Sequence, residues 1–343
     1  MIFIFFTIRI MSLGNLEIVL QERKEPIFFD FFGNPAGLYE NDGGRNEGGG
    51  YILKVEDDEK DVQATVGMFQ VGERRFRCYG EVWRMKYSFY GIEGKANGVT
   101  GAAGWRVSDK ASVGLLGKQY LLCWSENYAH SVSLVKAGVQ FAVFPSFKIG
   151  GGIARQEEWV EEEYRSSETR TAKIQVHGRF ERDRLTILLG GSGRQYSRSS
   201  RTGWGMKGLF LWRGRKLEGG MTIDMSYTGE DFLWKEFIRS AVITGGVAWK
   251  GENFSLGLEN RVDHSVFKKF DMASVHTRIG MEMNVWREIV FLRGGWCRKP
   301  DTEYIAGGIG LELPDRNLKC DIGIEKYMKD GRLVMGVEIL LRP

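Results

Sequence analysis

From about residue 131 to the C-terminus, apolar and polar residues alternate with a period of two. Ala172, Ile174, Val176, Gly178 and Phe180 fall on one face of an extended segment, and Lys173, Gln175, His177 and Arg179 on the other. Met221, Ile223, Met225 and Tyr227 alternate with Thr222, Asp224 and Ser226. Val275, Thr277, Ile279, Met281 and Met283 alternate with His276, Arg278 and Glu282. Leu318, Cys320, Ile322 and Ile324 alternate with Lys319, Asp321 and Glu325, and the last segment repeats the pattern around Glu338. A helix needs spacings of three and four, which these stretches do not supply.

Tight links near Pro145, Asp183, Gly214, Gly251, Arg287 and Asp315 take turns with longer polar links near 159–169, 196–202, 229–235, 265–271 and 299–302. Outer-membrane barrels show this asymmetry, with short periplasmic turns and longer outer loops. The segments run to about 10–14 residues, roughly twice the usual strand of a soluble sandwich. Thirteen strands are expected from residue 131, two more at about 97–107 and 111–125, and one to three within the less regular 46–92. The sequence thus predicts an all-β fold: an antiparallel, up-and-down transmembrane β-barrel of about 16 strands, in a range of 14–18. The polar face becomes the lumen, because Lys or Arg at the lipid midplane costs ~2–4 kcal/mol. Lys173, Gln175, His177, Arg179, Asp224, Arg278, Glu282, Lys319, Asp321 and Glu325 are the expected lumen residues, and Ile174, Val176, Ile223, Ile279, Ile322 and Val337 the expected lipid contacts.

Residues 12–45 follow a different pattern. Leu13, Leu16, Val19 and Leu20 have helical spacing behind a capping Ser12, then come Phe28, Phe29, Phe31 and Phe32, then a turn at Gly33-Asn34-Pro35. Such a segment is expected to form a short helical plug that packs inside the barrel or across its periplasmic mouth. The division is therefore 1–11, an apolar extension or signal remnant; 12–45, the plug; and 46–343, the barrel. Asn34, Pro35, Ala36, Gly37 and Leu38, placed just before a long series of hairpins, resemble the Asn-Pro-Ala motif of the FadL-like long-chain fatty-acid transporter superfamily and its PorV-like relatives among type IX secretion barrels. That resemblance implies an N-terminal hatch closing the lumen, with Asn34, Pro35, Ala36 and Gly37 as its motif.

Composition narrows the remaining classes. The 46 glycines are spread, singly and in runs of two or three, among Val, Ile, Leu, Phe and Trp, as a curved, closed sheet requires, and there are only 6 prolines. A net charge of +4 gives no footprint for nucleic acid. Cys78, Cys123, Cys297 and Cys320 form no C-x-x-C pair, so no metal or cofactor is expected. Gly203 to Gly208 spells G-x-G-x-x-G but is followed by no helix pattern. Ser192 and His177 fall where adjacent strands would bring them close, yet no nucleophile elbow is spelled. The acidic run Glu157, Glu158, Glu161, Glu162 and Glu163 is read as a solvated outer loop, with a divalent-cation or lipopolysaccharide contact as the alternative. Trp212 and Trp249, beside short turns, suit an interfacial aromatic belt. The functional expectation is a plugged channel or transporter for a small molecule, a hydrophobic one included. A non-transporting barrel that anchors or assembles a surface or secretion complex is the alternative, and an outer-membrane enzyme the third reading. The partners expected are outer-membrane lipid, a small molecule in the lumen and a partner protein.

Overall fold

The computed structural model describes residues 34–40, 47–57, 60–73, 75–89, 92–124, 128–162, 165–196, 202–229, 237–265, 274–299, 302–313 and 318–341. Eighteen strands form one sheet. They are β1 (Glu47–Asp57), β2 (Lys60–Glu73), β3 (Phe76–Phe89), β4 (Ile92–Ser108), β5 (Ala111–Trp124), β6 (Tyr128–Phe144), β7 (Phe147–Glu162), β8 (Arg165–Arg182) and β9 (Leu185–Tyr196), followed by β10 (Thr202–Arg213), β11 (Leu217–Gly229), β12 (Phe237–Lys250), β13 (Phe254–Ser265), β14 (Ser274–Trp286), β15 (Val290–Arg298), β16 (Glu303–Leu313), β17 (Leu318–Tyr327) and β18 (Leu333–Leu341). Every strand pairs antiparallel with its neighbours in sequence, and β1 pairs with β18, so the sheet closes on itself without an edge.

The count is 18, not about 16. The thirteen strands from residue 131 and the two before them are present, and 47–89 holds three more. The expected outer loop at 159–169 is also replaced: β7 runs to Glu162 and β8 begins at Arg165, so Glu157, Glu158, Glu161 and Glu162 belong to a strand. In this sector β4 to β8 have up to 18 residues, whereas β15 to β18 have 9–11, so one side of the wall is taller than the other. At the other end, Asp183 adopts a φ of 50° in the two-residue link between β8 and β9, where a tight hairpin favours a short polar side chain in the left-handed region.

The two faces are sorted by side-chain parity. Ile174 and Val176 are 63% and 65% exposed on the outer face, and Ile279, Ile322 and Val337 are also exposed there. Ile223 is half-buried on the same face as exposed Met221. Trp105, Trp212, Trp249 and Trp286 stand exposed beside the short turns and form an aromatic belt at the end where β1 begins and β18 ends. This end is the periplasmic one by the rule of short turns.

Part of the described wall inverts this sorting. In the outer halves of β2 to β4 the inward positions are apolar: Ala64, Met85, Tyr87 and Ala96 form a buried cluster, with Val62, Trp83 and Leu122 against it. The intervening positions, Gln63, Thr65, Arg84, Lys86, Lys95 and Asn97, are exposed on the outer face. The lower half of β3 has the ordinary order, with Arg77 and Glu81 buried inside and Phe76 and Val82 exposed outside.

The expected helix at 12–23 lies outside the described residues. Within them, the N-terminal segment is a 3-10 helix of 6 residues, Pro35–Glu40, packed against β3, β4, β5 and β6.

Candidate functional site: the N-terminal turn on the inner wall

Asn34, Ala36 and Leu38 are at most 1% exposed, although they precede the first strand. Burial this deep requires partners for every polar group. The Asn34 side-chain amide donates to the Val139 carbonyl at 3.2 Å and faces His177 Nε2 at 3.0 Å. The amide nitrogen has only hydrogens to offer, so in this contact Nε2 is the acceptor. The Asn34 amide oxygen caps its own turn by accepting from the Ala36 backbone N–H at 3.1 Å. The Ser112 hydroxyl donates to the Ala36 carbonyl at 3.1 Å. Pro35 presets φ for the first helical position and leaves no N–H to satisfy.

The wall is hollowed to receive this turn. A Cβ on Gly138 would run into the Asn34 amide oxygen, one on Gly114 into the Pro35 carbonyl, and one on Gly150 into His177 Nε2. These glycines come from β6, β5 and β7, so three neighbouring strands each give up a side chain at the same spot. The contact at Gly150 serves His177, which reaches over it from β8. Gly37 belongs to the 3-10 helix.

Of the ten residues expected in the lumen, His177, Arg179, Arg278, Lys319, Asp321 and Glu325 are buried, and Lys173, Gln175, Asp224 and Glu282 are half-buried. Gln175 accepts from Lys136, and Arg179 pairs with Glu181 on the same strand. Asp224 meets Lys207 at 2.9 Å. The structure brings five groups on β14 to β17 into one network: Arg293 sits between Glu282, at 2.7 Å, and Asp321, while Lys319 reaches Glu312 at 3.3 Å and Asp321 at 3.7 Å. Arg278 lies 3.8 Å from Glu259, a residue with no exposed surface. Glu325 accepts from the Tyr327 hydroxyl at 3.4 Å. Arg293, the centre of the network, was not among the expected residues. It lies in Phe291-Leu292-Arg293-Gly294-Gly295, where glycines dilute the alternation.

The opposite wall is different. Lys136 on β6, Ala154 on β7, Lys173 on β8 and Arg194 on β9 are aligned in one cross-strand rank. Lys173 and Arg194 are directly opposite, an arrangement that costs stability unless an anion or water relieves it. Of the other sequence candidates, Gly203–Gly208 lies within β10 and makes no loop, and Ser192 lies within β9 opposite Gln175. Two members of the acidic run are paired: Glu157 meets Arg155 at 2.5 Å and Arg170 at 3.5 Å, and Glu158 meets His130 at 2.7 Å. All four cysteines are free thiols.

A closed sheet with an aliphatic exterior, an aromatic belt at the turns and an ionic interior defines the chain as a β-barrel of the bacterial outer membrane. No family model matches the sequence, and no curated protein matches it. Among solved structures it is similar to OccAB3 of Acinetobacter baumannii, with a TM-score of 0.51, 9% identity, and 87% of this chain and 98% of that one covered. The siderophore receptor PirA of Pseudomonas aeruginosa gives 0.50 and 9%, over 87% and 80% of the two chains. The ferric enterobactin receptor PfeA of the same species gives 0.54 and 6%, over 87% and 81%. At these identities the likeness is one of fold.

Proposed function

We propose that the protein is a transport barrel closed by its own N-terminal segment, with residues 12–45 acting as a hatch of the FadL-like kind. The observation that carries this reading is the docked turn: Asn34 and Ala36 are held by Val139, His177 and Ser112 on a floor of glycines that has no other evident use.

The inner wall also bears on the cargo. The apolar cluster of β2 to β4 faces the lumen near the outer mouth, and the cationic rank of β6 to β9 stands beside it. An apolar body with a negative or strongly polar end is complementary to both. The solved relatives include a siderophore receptor and a receptor for ferric enterobactin, which is in keeping with uptake of small molecules by this fold.

The competing reading, a barrel that anchors or assembles a complex, draws on the buried ion network of β14 to β17, which fills part of the lumen. Liposome swelling separates the two. Removing residues 12–40 is expected to speed entry of a neutral sugar, while the intact chain admits it slowly. Equal swelling by both, with the truncated chain still heat-modifiable on gels as a folded barrel, favours the anchor.

A further inference from the structure

The inverted sector of β1 to β4 places cations where lipid is expected. Lys86 on β3 is directly opposite Lys95 on β4, and both are exposed on the outer face. Arg84 is two residues along β3 on the same face. Lys54 on β1 aligns with Gln63 on β2, which aligns with Lys86, and Lys54 is exposed on that face too. Like charges directly opposite each other weaken a sheet. Among the described residues, none forms a hydrogen bond or ion pair with Arg84, Lys86 or Lys95. Glu93, exposed on the same face of β4 one step nearer the loops, is not paired with them either.

Their height is fixed by the strand. Phe76, exposed in the periplasmic belt, lies on the same outer face of β3 as Arg84. At ~3.4 Å per residue and a tilt of about 40°, Arg84 stands ~21 Å above it along the barrel axis. The same arithmetic from Trp105 puts Lys95 ~26 Å above the belt, at the top of an apolar band about 25 Å tall. Lys86 and Lys95 therefore sit at the outer interface, level with lipid headgroups, with Arg84 ~5 Å below them. Elsewhere on that rim the charges answer each other: on β7 and β8, Arg155 pairs with Glu157, and Arg170 with Glu157 and Glu168.

We propose that Arg84, Lys86 and Lys95 form a binding site for a phosphate group of a phosphorylated glycolipid of the outer leaflet. The acyl chains lie along the apolar face below, against Ile52, Val82 and Val99, all exposed. The site depends on the orientation of the barrel and not on transport.

The test uses the full chain in neutral detergent micelles, titrated with bisphosphorylated lipid A and read by native mass spectrometry. Dephosphorylated lipid A, phosphatidylglycerol and inorganic phosphate are run beside it. The combined variant Arg84→Gln, Lys86→Gln and Lys95→Gln is expected to weaken bisphosphorylated lipid A on the order of 100-fold, taking each surface cation at its usual worth. The control Arg155→Gln with Arg170→Gln is expected to bind as the natural chain does. If the triple variant fails to give a heat-modifiable barrel, Lys86→Gln and Lys95→Gln singly carry the test, each weakening binding about fivefold. Undiminished binding by these variants overturns the proposal. So does equal binding of the dephosphorylated lipid, of phosphatidylglycerol or of inorganic phosphate.

Discussion

The Asn34 side-chain amide spends both of its ends inside the molecule, its nitrogen on Val139 and His177 and its oxygen on Ala36. Asn34→Ala removes the donor and leaves buried acceptors behind, at a cost of ~1–3 kcal/mol to the docking of the turn. Hydrogen exchange at Ala36 is expected to quicken by roughly 5- to 100-fold on that account, and unchanged exchange would speak against the docked turn. Gly138→Val acts from the other side by filling the space of the Asn34 amide oxygen. Its effect should not add to that of Asn34→Ala, because both release the same contact. Arg293 is the sharper case for stability. Its side chain and that of Asp321 are each 1% exposed, so Arg293→Ala strips Glu282 of this partner, leaves Asp321 only the longer contact to Lys319, and should cost ~3–5 kcal/mol. Replacing Arg293, Glu282 and Asp321 together by apolar residues of similar size should recover most of that loss. Thermal unfolding in micelles measures both, and a single variant as stable as the natural chain would mean that water relieves the site.

At the scale of a strand, parity decides between lumen and lipid. The part of β8 from Ala172 onward was legible in the sequence, since Lys173, Gln175, His177 and Arg179 alternate without interruption against Ile174 and Val176. Val176→Arg puts a charge into the hydrocarbon near the middle of the band and should cost ~2–4 kcal/mol, whereas Gln175→Arg points into the lumen and should cost little. Equal penalties in a vesicle refolding titration would contradict the assigned faces. β3 was not legible for a physical reason. Its phase is constant, but the chemistry of its faces switches at Val82 and Trp83, with Phe76 and Val82 outward below and Trp83, Met85 and Tyr87 inward above. A pattern rule that equates apolar with lipid finds no continuous period across such a switch, so the three strands of 47–89 blurred into one irregular stretch. The acidic run misled in a similar way. Five glutamates in seven residues read as a loop, yet arginines on β7 and β8 neutralise part of that charge and let the strand continue.

At the scale of the whole molecule, the barrel followed from alternation and from the order of its links, and closure followed from the need to leave no edge. The candidate site was legible only in half. Asn34 and Pro35 stood out as a motif, but nothing local in the sequence joins Asn34 to His177, which is 143 residues away, or marks Gly114, Gly138 and Gly150 among 46 glycines as the floor beneath the turn. Those partners meet only because four successive hairpin strands curve round one side of the lumen. The same wall carries the apolar cluster, the cationic rank and the docked turn, so the account places the route and its closure together. The measurement that tests this most directly is single-channel conductance in planar bilayers, comparing the intact chain with a chain lacking residues 12–40. The account predicts small, infrequent openings for the intact chain and a larger, steadily open conductance for the shortened one. The same low conductance from both, with the shortened chain shown to be a folded barrel, would contradict it.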